Sequence, residues 1–170
     1  NAAEAMAGAE QVYLAVPSQT LRANLADWGG AIPEGAVLVS LMKGVEKETG
    51  LRMSEVIKEV LNIGDDRVVV VSGPNLSLEI AQEQPTASVA ASTNPEAAGQ
   101  VATAASNAYF TTFTNKDVIG TEFGGILKNL IAVAIGIVNG VGYGENTKAS
   151  IMTRGLAEIS RFAVAYGAHP

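Results

Sequence analysis

The sequence predicts an α/β sheet over residues 1–115, followed by an all-α segment over residues 116–170. Three observations carry that prediction. Five short β-type runs alternate with helical patterns, as in an α/β sheet with right-handed crossovers. The first three runs are near-continuous apolar stretches, the pattern of parallel strands covered on both faces. After Asn115 the strand signals stop and two long helical patterns follow.

The elements follow in order. Strands are expected at residues 12–16, 37–41, 68–72, 87–91 and 109–113. Leu21, Leu25 and Trp28 give a short helical stripe between the first two. Met53, Val56, Ile57, Val60 and Leu61 recur at i, i+3, i+4, i+7 and i+8, one apolar face of a helix. Asn94-Pro95-Glu96 reads as an N-cap, a first-turn proline and an acidic first turn, opening a helix to about Ser106. From Asp117 to Val141 the chain reads as one long helix, apolar almost all round and therefore expected to be buried. Gly140, Gly142 and Gly144 interrupt it. A second helix is expected from Asn146 to Tyr166, with Ile151, Leu156, Ile159, Phe162 and Ala163 facing inward and Gly167 ending it.

Composition narrows the function classes. The chain has 170 residues, which suits one domain or one domain plus part of another. Charged residues make up 16%, below the usual quarter, so much of the chain is expected to be buried. A net charge of −6 with 11 Lys and Arg disfavours a nucleic-acid partner, whose phosphates demand a basic patch. With no cysteine and only His169, no disulfide, thiolate metal site or His-based triad is expected within the chain. No signal-peptide pattern is visible. The apolar stretch 126–141 is interrupted by Lys128, Asn129 and Asn139 and reads as too short and too polar for a membrane span. A soluble, cytoplasmic protein is expected. Both ends read as cut: the chain opens on a helix-like stretch and closes on a helix without a bundle to cover it.

Ligands of open parallel sheets bind outside the carboxyl ends of the strands. The loops Val16-Pro17-Ser18-Gln19, Met42-Lys43-Gly44 and Ser72-Gly73-Pro74-Asn75 are therefore expected on one rim. Gly73 lets a ligand approach the backbone. Asn75 is expected to cap a helix running to about Glu83, whose N-terminus would favour an anion. Lys43 adds a positive charge. The same residues also read as ordinary turns with a solvated lysine. Lys128 is more pointed, because it lies in an otherwise apolar helix with Gly124, Gly125, Ala132 and Gly136 along its face. A desolvated lysine moves a proton near neutral pH, and Asn129 would orient a carbonyl or hydroxyl. The plain reading is a lysine snorkelling from a helix surface. Asn146-Thr147-Lys148 reads first as a helix cap.

Several motifs together resemble the bacterial type of NAD(P)-dependent glycerol-3-phosphate dehydrogenases. They are Val12-Tyr13-Leu14-Ala15-Val16-Pro17-Ser18-Gln19, Leu41-Met42-Lys43-Gly44-Val45-Glu46, Ser72-Gly73-Pro74-Asn75, Gly125-Ile126-Leu127-Lys128-Asn129-Leu130-Ile131-Ala132 and Gly140-Val141-Gly142-Tyr143-Gly144-Glu145-Asn146-Thr147-Lys148-Ala149. The resemblance covers essentially the whole chain. It implies the C-terminal portion of a Rossmann-like dinucleotide-binding domain, residues 1–115, followed by the first helices of an all-α substrate domain, residues 116–170. It implies interconversion of dihydroxyacetone phosphate and sn-glycerol 3-phosphate with NAD or NADP, supplying glycerophospholipid synthesis. By matched position, Lys128 is implied as catalytic acid/base. Lys43, Gly73, Asn75, Lys128 and Asn129 are implied to bind substrate, and Pro17, Lys43 and Ser77 to bind cofactor. A homodimer is implied for the full-length parent.

The sequence departs from the family at Asn75, where serine is frequent, at Ser77, where alanine is frequent, and at Asn139, where an acidic residue is common. The Gly-x-Gly-x-x-Gly loop is absent, as are the family's downstream Asp, Arg and Asn. The chain is therefore expected to hold only the middle of an active site and to be inactive alone. The residue that selects NAD or NADP is likewise absent. Two other readings stand beside this one: another Rossmann-plus-helical-domain dehydrogenase acting on a hydroxy acid, and a non-catalytic helical interaction module.

Overall fold

The computed structural model describes residues 1–170, which divide into two compact units, Asn1–Val118 and Ile119–Pro170. In the first unit β1 (Gln11–Leu14), β2 (Val37–Ser40), β3 (Val68–Ser72), β4 (Thr86–Ala91) and β5 (Phe110–Asn115) form one sheet in chain order. β1, β2 and β3 run parallel, with Leu14 beside Ser40 and Ser40 beside Val70.

Alternate strand residues point to opposite faces, and both faces are covered. Val12, Leu14, Leu38 and Val68 pack with Met6 of α1 (Ala2–Met6), with Leu21 and Leu25 of α2 (Leu21–Trp28) and with Met53, Val56 and Ile57 of α3 (Met53–Leu61). Val39 and Val69 pack on the other face with Ala97, Val101 and Ala102 of α5 (Pro95–Ala105). This is why the strands read as continuous apolar runs. Asn94 caps α5 as its sequence suggests, accepting from Glu96 N at 3.0 Å and Ala97 N at 3.4 Å.

One direction differs from an all-parallel reading. β4 is antiparallel to β3, pairing Val71 with Ala90 and Ser72 with Val89, and β5 is parallel to β4. A parallel return needs a full crossover, usually a helix. Between β3 and β4 there is only α4 (Ser77–Ala81), five residues long. The reversal brings the start of β4 to the rim where β1, β2 and β3 end.

In the second unit α6 (Val118–Val141) is followed by α7 (Glu145–Ala165). Phe123 meets Phe162 edge-on at 5.2 Å and Tyr166 at 5.1 Å, while Phe162 and Tyr166 stack at 4.7 Å. Ile131 lies over Gly155 so closely that a Cβ there would fall 2.3 Å from its Cδ1.

Several expectations for this unit are corrected. α6 is not buried all round: Leu130, Val133, Ile137 and Val141 are exposed. With 24 apolar-rich residues it is long and apolar enough to cross a bilayer by length and composition, contrary to the reading of the shorter stretch. On α7 Leu156 faces outward, 69% exposed. The covered line is Ile151, Gly155, Ile159 and Ala163, spaced by four residues. The cap of α7 is Gly144, not Asn146, and Lys148 pairs with Glu145 at 2.6 Å.

Candidate functional site

The rim at the ends of β1, β2 and β3 is tied loop to loop. Gln19, in the turn after β1, reaches the loop after β2 at two points: its Nε2 donates to Val45 O at 2.8 Å, and its Oε1 accepts from Lys47 N at 2.9 Å. Gly44 stands beside Ser18 with φ +153, and a Cβ at Gly44 would lie 2.7 Å from Ser18 Oγ. Both the dihedral and the contact require glycine. The loop after β2 is joined to the loop after β3 by Lys43, whose Nζ donates to Gly73 O at 3.0 Å.

The third loop is joined to β4. Asn75 Nδ2 donates to Ala87 O at 3.2 Å, and Ser88 Oγ lies 3.2 Å from both Asn75 Oδ1 and Ser72 O. Asn75 is therefore not the expected helix cap. Leu76 precedes α4 without a side-chain cap, because the Asn75 amide is engaged by β4 instead. With five residues, α4 offers none of the anion-binding helix end that was expected. Gly73 also has another reason to be glycine: a Cβ there would lie 2.7 Å from Ala87 O and 3.0 Å from Ser88 Cα. The close approach is to the protein's own strand.

So the structure brings Lys43, Gly73 and Asn75 together, each linked to the next loop or strand. Pro17 lies exposed at the end of the β1 segment, its carbonyl accepting from Thr20 N and Oγ1, each at 2.9 Å. Ser77 is exposed as the first residue of α4.

Lys128 and Asn129 belong to the second unit, on α6, and both are exposed. The expected burial of Lys128 is corrected; the buried charge on that helix is Glu122, 4% exposed. Along the Lys128 face, a Cβ at Gly124 or Gly136 would meet no atom within 4 Å. Gly125, also on that face, is buried.

The sequence reading gave no role to Arg22, Glu46 or Ser88. Arg22 grips Glu46 through two nitrogens, Nε and the terminal Nη2, each at 2.9 Å, and reaches Glu59 of α3 through Nη1 at 2.7 Å. Glu46 also accepts from Thr49 Oγ1 at 2.5 Å. These hydrogen bonds, the Arg22 pair first, hold the Glu46 carboxyl below the usual carboxylate range and raise the Arg22 guanidinium further. Ser88 had a readable signal, a hydroxyl at a buried position of a strand.

Comparison with known proteins gives the family of the chain. A family model described as the N-terminus of NAD-dependent glycerol-3-phosphate dehydrogenase matches residues 1–98, and the C-terminus of the same family matches residues 117–170. The chain belongs to the NAD-dependent glycerol-3-phosphate dehydrogenase family. The resemblance read from the motifs is thereby confirmed, and the hydroxy-acid alternative gives way.

Relatives agree with that membership. Glycerol-3-phosphate dehydrogenase [NAD(P)+] of Leifsonia xyli is 66% identical over 167 residues, 98% of this chain and 45% of that protein. The enzyme of the same name from Thermobifida fusca is 54% identical over 168 residues, 99% of this chain and 50% of that protein. The crystal structure of glycerol-3-phosphate dehydrogenase from Coxiella burnetii superposes with a TM-score of 0.88 at 29% identity, covering 99% of this chain and 51% of that one. The chain thus spans about half the length of the curated relatives it matches. Its fold class is the family's: a Rossmann-type α/β sheet followed by helices of the C-terminal domain.

Proposed function

We propose that this glycerol-3-phosphate dehydrogenase family chain supplies the central part of an active site that interconverts dihydroxyacetone phosphate and sn-glycerol 3-phosphate with NAD(P)H or NAD(P)+. The observation that carries the reading is the bond from Lys43 to Gly73 O at 3.0 Å, which holds a cation where the strands β2 and β3 end. Ligands of such sheets gather at that rim.

The rim fits a phosphate-bearing nicotinamide dinucleotide in its chemistry. Lys43 offers an ammonium group to phosphate, and Pro17 and Ser77 are exposed in the segments that follow β1 and β3. Pro17, Lys43 and Ser77 would hold the cofactor. Lys43, Gly73, Asn75, Lys128 and Asn129 would hold the phosphorylated triose. Bound there, the reduced nicotinamide would supply a hydride to the ketone carbon. As the C=O π electrons move onto oxygen, Lys128 donates its proton to that oxygen and is left as a neutral amine, which recovers a proton from water. Asn129 orients the hydroxyl. This role requires an accessible Lys128 ammonium. Its exposure on α6, beside Gly124 and Gly136 whose faces meet no other group, leaves the ammonium accessible for it.

The full-length protein is read as a cytoplasmic homodimer that supplies glycerophospholipid synthesis, and the net charge of −6 on these 170 residues argues against a nucleic-acid partner. Residues 1–115 form its nucleotide-binding part and 116–170 the start of its substrate domain. α6 is read as a helix of that domain rather than a membrane span.

Lys128→Ala in a full-length protein carrying this sequence tests the reading. Loss of the proton donor lowers kcat by ~10²–10⁴-fold and leaves cofactor affinity nearly unchanged. A variant with unaltered kcat would remove Lys128 from the chemistry.

A further inference from the structure

The loop after β2 carries Lys43 near its start, and what fixes the loop lies three residues on. Glu46 is 8% exposed and sits at the centre of a set of bonds that tie the loop after β2 to α2. Its carboxylate takes two nitrogens of Arg22 from α2, each at 2.9 Å, and the Thr49 hydroxyl at 2.5 Å. Its backbone N–H donates to Leu51 O at 2.8 Å, and its carbonyl accepts from Gly50 N at 2.8 Å. Val45 bridges to Arg52 beside it. Arg22 is itself held, by Glu59 of α3 at 2.7 Å. Gln19 binds the backbone on both sides of Glu46, at Val45 O and Lys47 N. Between Glu46 and Lys43 stands Gly44, pressed against Ser18.

A two-point pair between a planar guanidinium and a carboxylate fixes orientation as well as distance. The path from Glu46 back to Lys43 crosses only Val45 and Gly44, both held. We propose that Glu46, clamped by Arg22, is the positioning residue for Lys43. It fixes the loop so that the ammonium is presented at the rim in one place rather than swinging on a free turn. This inference rests on the reading above that Lys43 contacts cofactor and substrate. Glu46 itself touches neither and acts only through Lys43.

The test is a double-mutant cycle in an active, full-length protein carrying this sequence, using Lys43→Ala, Glu46→Gln and the pair. Measured quantities are the dissociation constant for NADH or NADPH, whichever the protein uses, and KM and kcat for dihydroxyacetone phosphate. Lys43→Ala weakens binding. Glu46→Gln, which keeps the shape but loses the charge, raises the same constants by roughly tenfold with a much smaller change in kcat, the signature of lost binding rather than lost chemistry. In the Lys43→Ala background Glu46→Gln adds nothing, because the two act as one unit. Additive effects would overturn the proposal, since a merely structural glutamate costs the same with or without Lys43. Lys43→Ala with unchanged constants would instead sink the reading of the rim on which the proposal rests. Should Glu46→Gln fail to fold, Gln19→Ala removes the exposed link to the same loop and enters the cycle in its place. Additivity there is equally fatal.

Discussion

At the scale of single residues, charge and glycine carry the informative differences between sequence and structure. Gly73 was readable as a glycine with a purpose, but its purpose is the 2.7 Å approach to Ala87 O, a cross-strand contact that no local pattern encodes. Asn75 looked like a cap because capping is judged from neighbours in sequence. Its amide is taken by β4, twelve residues on, through Ala87 O. Arg22 and Glu46 lie 24 positions apart and no spacing rule joins them. Their pairing has a consequence for acid stability. The folded Glu46 carboxyl is held below the ordinary value of about 4.3 by Arg22 first and Thr49 second. A carboxyl depressed on folding stabilises the native state above its unfolded pKa, and that contribution is lost as pH falls through the folded value. The wild-type chain is therefore expected to exceed Glu46→Gln in stability at pH 7. The difference shrinks progressively below about pH 5. Urea melts of both at pH 7 and in acid measure it. A difference that stays constant with pH would show that the pair does not link folding to protonation.

At the scale of elements, the sequence was legible where burial was two-sided or periodic. β1, β2 and β3, the stripe of α3 and the Asn94 cap of α5 all stand within a residue or two of their expected places. Legibility failed where an element's role depends on a partner surface. The direction of β4 follows from a connection too short for a crossover, and the strand itself reads the same either way up. The inward face of α7 was misassigned at Leu156 because Gly155, with no side chain to score, is the true contact. That contact makes a prediction. Alanine at Gly155 would place its Cβ 2.3 Å from Ile131 Cδ1 and 2.8 Å from its Cγ1. A β-branched isoleucine in a helix has little rotamer freedom with which to yield. Overpacking of this kind costs ~1–3 kcal/mol, set against up to about 1 kcal/mol of helix propensity regained. Gly136→Ala on α6 gains the same propensity and meets nothing within 4 Å. Chemical denaturation should rank Gly136→Ala above wild type and Gly155→Ala below it. Equal stabilities would mean that the α6–α7 contact tolerates separation at no cost.

At the scale of the whole molecule, the second unit poses a solvation problem. A helix apolar on most sides is stable in water only when something covers it. α7 covers the side of α6 that bears Phe123 and Ile131, and leaves Leu130, Val133, Ile137 and Val141 each more than 60% exposed. These four lie at i, i+3, i+7 and i+11, so they form one stripe along the helix. In the first unit β1 is an edge of the sheet, and a bare strand edge templates association. Contiguous apolar surface of this kind drives self-association in an isolated polypeptide. The 170-residue chain, purified by itself, is therefore expected to form concentration-dependent oligomers in light scattering and to bind NADH weakly or not at all. Replacing Leu130, Val133 and Ile137 together with glutamine separates the two sources of association. If the α6 stripe drives it, the triple variant scatters as a smaller species at the same concentration. If the β1 edge drives it, the variant scatters as the parent does. A parent chain that stays monomeric and binds NADH at micromolar concentration would show that neither surface needs a partner, and that the rim by itself holds the cofactor.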